Sequence, residues 1–128
     1  MNAQAMPARA LAALLADGAD GICAESAAVA LVTRHGHFLH EPAFRRLIVI
    51  SAAGPAAVIR WNAVAWALQH GRLPCSPSER AVLAIAASIV GDQIPVCLGA
   101  GLGSLDHRNI ALVTDAITAA NGRTGKAR

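Results

Sequence analysis

A chain of 128 residues that is 55% hydrophobic and only 15% charged is not an intrinsically disordered segment, because it holds enough apolar side chains to offset the entropy of ordering one domain. Its net charge of +3 and pI near 9.2 fall short of the basic density that makes non-specific nucleic-acid binding expected. The longest apolar stretch, 47–59, is broken by Ser51, Gly54 and Pro55 and bracketed by Arg46 and Arg60, which excludes it as a spanning helix of roughly 20 apolar residues.

In chain order, the first helix is expected over 7–17, with Pro7 in its opening turn, Leu11, Leu14 and Leu15 at helical spacing and Gly18 as its stop. A second helix starts near Asp20 or Ala24 and runs to Arg34, with Gly36 suited to a left-handed C-cap. The segment 42–53 is ambiguous, since Leu47-Ile48-Val49-Ile50 is also strand-like. Helix is favoured there because Pro42 opens it, Phe44, Leu47 and Ile48 share a face, and no second strand-like segment is evident. Pro55 restarts the chain into a helix over 55–69, with Val58, Trp61, Ala65 and Leu68 on one stripe and Ile59 and Trp66 flanking it. A helix so apolar around its circumference belongs at the centre of a bundle or at a subunit interface.

Ser76-Pro77-Ser78-Glu79 reads as a capping box, followed by a helix to Val90 that buries Val82, Leu83, Ala86, Ile89 and Val90 and stops at Gly91. The pattern then breaks into Ile94-Pro95-Val96 and a glycine-rich loop ending at Gly103. Ser104 or Asp106 caps a last helix with Ile110, Val113 and Ile117 inward and Asn121-Gly122 as its stop. The expectation is an all-α, compact bundle of five or six short helices, centred on 55–69 and 77–90, in one domain over 1–122 with a disordered tail over 123–128.

Only 3% of the residues are aromatic, and Ala recurs through the helices, as in Ala27-Ala28 and Ala86-Ala87. Small side chains supply little buried area each, so stability must come from many close contacts or from a partner subunit. Cys23, Cys75 and Cys97 are odd in number and widely spaced, which indicates buried free thiols rather than a disulfide framework or zinc ribbon. Arg9 precedes only a short apolar run, 11–15, before Asp17 and Asp20, so a signal peptide is not expected and a cytoplasmic location is.

Three groupings could carry chemistry. His35, His37 and His40, with Glu41, place three imidazoles and a carboxylate in one connection, which suits zinc, nickel or copper, or else a solvated turn. Cys75, His70 and Asp92, or Ser104, His107 and Asp106, are residue types for nucleophilic catalysis, though Ser104, Asp106 and Glu79 are better explained as helix caps. Gly99 to Ser104 has the order G-x-G-x-G with no following Lys, which suits a connector or a weak anion site beside Arg108 rather than a phosphate loop.

For nucleic acid, the candidates are Arg45, Arg46, Arg108 and Asn109, with further Arg at 60, 72 and 80. The wording of 78–83 echoes the first helix of helix-turn-helix domains, but Pro95 and four glycines follow where a second short helix should. Leu73-Pro74-Cys75-Ser76 with Glu79, Ala84-Ile85-Ala86-Ala87-Ser88, Ile94-Pro95-Val96 with Leu98, and Leu105-Asp106 with Asn109 resemble a pattern in short uncharacterised actinobacterial proteins. The resemblance covers the C-terminal half and implies a helical fold from a GC-rich bacterial genome, without an activity.

The function these readings favour is a small, non-enzymatic interaction protein that associates with itself or with another protein, needing no cofactor and no membrane. Trp61, Trp66 and Leu68 are its candidate interface, since Trp is enriched among interface anchors. Nucleic-acid binding through the Arg residues is the alternative, and a metal-dependent function through the His cluster a second one.

Overall fold

Side-chain caps start three of the seven α-helices among the described residues of the computed structural model, which describes residues 2–91 and 94–122. The expected tail, 123–128, and Asp92 lie outside the described residues. Helix α1 (Ala8–Gly18) follows Pro7, and α2 (Cys23–His35) ends at Gly36 with φ of 94°, the left-handed stop expected of it. Glu41 caps the short α3 (Pro42–Arg45) by accepting from the Ala43 N–H.

Beyond Arg45, the segment to Ile59 departs from the helical expectation. Ile48–Ile50 (β1) and Ala57–Ile59 (β2) form an antiparallel hairpin with Ile48 opposite Ile59, Val49 opposite Val58 and Ile50 opposite Ala57. The pairing gives each strand a period of two: Ile48, Ala57 and Ile59 face the core, while Val49 and Val58 face out. Two short β-branched segments joined by a Gly-Pro turn thus prevail over helix because each is the other's partner. The helix expected over 55–69 is therefore shortened to α4 (Trp61–Gln69).

Gly18 ends α1 as expected, without a left-handed φ. A Cβ there would lie 2.1 Å from the Ala57 carbonyl oxygen, so glycine is what lets α1 approach β2.

The capping box at α5 (Pro77–Val90) is present in full: Glu79 N–H donates to Ser76 Oγ at 3.2 Å and Ser76 N–H to Glu79 Oε1 at 2.8 Å. Within the glycine-rich segment, Leu98–Leu102 forms a short helix, α6, where a loop is expected. Asp106, rather than Ser104, caps α7 (His107–Ala120) by accepting from the Asn109 N–H at 2.8 Å. The buried face of α7 is Asn109, Leu112, Val113 and Ala116, so Ile110 and Ile117 point outward instead of inward. On α5, Val82, Leu83 and Ala86 are buried as expected, joined by Ile85 and Ala87, whereas Ile89 and Val90 are half-buried.

The bundle is predominantly helical, with seven α-helices among the described residues, two of them four or five residues long. Its centre is α2, which packs against α5 and α7, rather than α4. Ala27 and Ala28 of α2, Ala86 and Ala87 of α5 and Ala116 of α7 are all buried, consistent with small side chains bringing backbones close. None of the described helices is long and apolar enough to cross a membrane. The cysteines depart from expectation: Cys23 and Cys97 are exposed and Cys75 is half-buried, all three as free thiols.

Candidate functional site

Most of the polar residues singled out in the sequence hold the fold together. Arg45 is 8% exposed and donates to the backbone carbonyls of Leu39, Ala3 and Met6, tying the N-terminal segment to the body of the molecule. Arg108 donates to the Arg34 carbonyl at 2.6 Å, on the last turn of α2. Asn109 is 7% exposed, and its side-chain amide donates to Ser78 Oγ at 3.1 Å. Of the four candidates for nucleic acid, Arg46 alone is an exposed side chain with no protein partner among the described residues. The four do not form one basic face.

The His cluster divides in the same way. His35 and His37 are half-buried with ring centroids 6.4 Å apart, His37 Nδ1 lies 3.4 Å from Glu79 Oε2, and His40 is exposed. No group of three His, Cys, Asp or Glu side chains is arranged to hold a metal among the described residues. His35 Nδ1, His37 Nε2 and Asn109 Oδ1 are buried without a protein partner. The imidazole of His35 is held below its ordinary value by burial first and then by Arg108, against the opposing pull of Glu79.

No hydrogen bond joins the described members of either catalytic trio. Cys75 Sγ donates to the Leu73 carbonyl, and burial pushes its thiol up from the ordinary value, away from a nucleophilic thiolate. Ser104 Oγ donates to the Gly101 carbonyl, and Asp106 is a helix cap.

The candidate interface residues fall on two sides of α4. Trp61 and Leu68 are 9% and 2% exposed and belong to the monomer's own core, as do Val64 and Ala65. Trp66 is 50% exposed on the opposite face. Its indole lies against the His70 ring, stacked at 4.2 Å between centroids and 18° between planes, with His70 Nδ1 at 2.8 Å from the Trp66 carbonyl one turn back. The Arg72 guanidinium sits 5.5 Å from the indole centroid, within cation–π range.

Beside this indole lies a groove of about 340 Å³ between α3 and α4. Its buried and half-buried lining is Ala43, Leu47, Ala63, Ala67 and Leu73, and its exposed lining is Trp66, Arg46 and Arg72. The result is an apolar floor with an aromatic and cationic rim. Sequence reading found Trp66 but not its association with Arg46, Arg72 and His70. The signal lay in the charge pattern: from 42 to 78 the chain has four Arg and His70 and not one Asp or Glu. A second depression, of about 380 Å³ between α5 and α6, is mostly apolar, with Arg80 as its one charged lining residue among the described residues.

Compared with protein-family models, curated proteins and solved structures, the chain matches none of them.

Proposed function

We propose that this chain is a small interaction protein that self-associates, with the groove beside Trp66 as its docking surface. The reading is carried by Trp66, one of two Trp in the chain, half-exposed at the edge of an apolar depression, stacked on His70 and within cation–π range of Arg72. An aromatic ring already packed against neighbouring side chains offers a large contact area at low cost in side-chain entropy, which is what makes Trp a strong anchor. Arg46 and Arg72 at the rim select partners of opposite charge and speed their encounter. Nucleobase stacking is the weaker reading, because His70 covers one face of the indole and the groove floor is aliphatic.

Sedimentation velocity tests the proposal. Wild-type protein is expected to move from its 13.1 kDa species to a multiple of it as concentration rises. Trp66→Ala is expected to weaken that association by about 2 kcal/mol, roughly 30-fold, with helix content unchanged because the side chain is not part of the core. Equal association of the two proteins would sink the reading.

A further inference from the structure

Resting on that reading of the groove, we infer that its occupant is a second copy of this chain, which inserts Ile22 from the turn between α1 and α2. Ile22 is 53% exposed, the highest value among the exposed large hydrophobic side chains of the described residues. It stands between Asp20 and Glu25, with Asp17 just before them, and from 10 to 33 the chain has no Lys, Arg or His. None of these carboxylates is ion-paired among the described residues. The described residues therefore hold an acidic apolar projection and a basic apolar groove, neither with an ion-paired complement among them.

The projection is stiff. Gly21 takes a φ of 86° that turns the chain, the Ile22 N–H donates to the Ala19 carbonyl at 3.2 Å, and the Ser26 hydroxyl donates to the same carbonyl at 2.9 Å. Ser26 N–H closes the next turn on the Ile22 carbonyl at 2.8 Å. A side chain presented by so constrained a turn loses little freedom on docking. The groove, about 340 Å³ with an aliphatic floor, takes a branched aliphatic side chain, and Arg46 and Arg72 then face Asp20 and Glu25.

The other exposed apolar side chains lack this complementarity. Val49 and Val58 lie on the hairpin between Arg46 and Arg60, Leu98 and Leu102 stand in a run from 94 to 105 with no charge, and Ile110 and Ile117 share α7 with both Arg108 and Asp115. Because projection and groove are different patches, the contact either closes reciprocally into a two-fold pair or repeats from copy to copy.

Complementation in trans tests this. Ile22→Ser keeps the groove and loses the projection, while Trp66→Ala keeps the projection and loses the groove; both changes are at exposed positions. Each variant alone is expected to sediment as monomer, and an equimolar mixture to form a 1:1 complex through the one intact contact, which 0.5 M NaCl weakens several-fold as the ion pairs are screened. If Ile22→Ser self-associates like wild type while Trp66→Ala does not, the inference is overturned and the groove reading stands. Two monomeric variants whose mixture stays monomeric also overturn it. A wild-type chain that is monomeric throughout removes both, and an acidic amphipathic peptide that then binds the wild-type groove assigns the site to a foreign partner.

Discussion

His35 closes α2 with its ring 5.1 Å from that of Phe38 and its Nδ1 buried without a protein partner. Arg108, Asp106, Glu79 and His37 surround it, and burial is the largest influence, holding its pKa below the ordinary 6.5. The folded state therefore disfavours the protonated ring, so the unfolded chain binds more protons and stability is lost as pH falls below 6.5 through the folded value. Glu79, lowered first by the Ser76 backbone hydrogen bond, contributes stability that is lost only below its ordinary 4.5. The midpoint of thermal unfolding should thus fall between pH 6.5 and 5 in wild type and fall less in His35→Gln; parallel curves would show that His35 has no part in it. Arg45 marks the limit of sequence reading at this scale. A charged residue beside Arg46 reads as a surface phosphate contact, and the return of the N-terminal segment across the fold adds the Ala3 and Met6 carbonyls to that of Leu39 in pairing the buried side chain.

At the scale of elements, capping chemistry is local and was legible: Gly36 stops α2, Ser76 and Glu79 start α5, and Asp106 starts α7. The hairpin was not, because neither three-residue strand has a period of two until the other lies beside it. Gly18 is where local and tertiary rules disagree. Helix propensity alone favours Ala over Gly, by at most about 0.5–1 kcal/mol at this last helical position. The Ala57 carbonyl, 2.1 Å from the would-be Cβ, forces α1 and β2 apart instead. Gly18→Ala is expected to destabilise the protein by roughly 2 kcal/mol, as over-packing does, read by chemical denaturation with the slope unchanged. A stabilised variant would mean that α1 does not lie against β2 as described.

Over the whole molecule, charge is sorted along the chain: acids without bases from 10 to 33, bases without acids from 42 to 78. A modest net charge of +3 conceals this polarity, and composition pointed only to mild basicity. The helical bundle was legible from periodicity and caps, and Trp66 from residue type. Trp61 and Leu68 were assigned to the same interface because α4 is apolar on nearly every side, and only packing against the rest of the core distinguishes its buried face from the face that carries Trp66. The most direct measurement of the central claim is the emission of Trp66 as the sole indole, in a Trp61→Phe variant diluted across the association range. If the groove docks a second copy, the emission maximum moves to the blue as concentration rises and returns to that of an exposed indole on dilution. An emission maximum that stays constant while the protein associates would place the interface elsewhere and contradict the account.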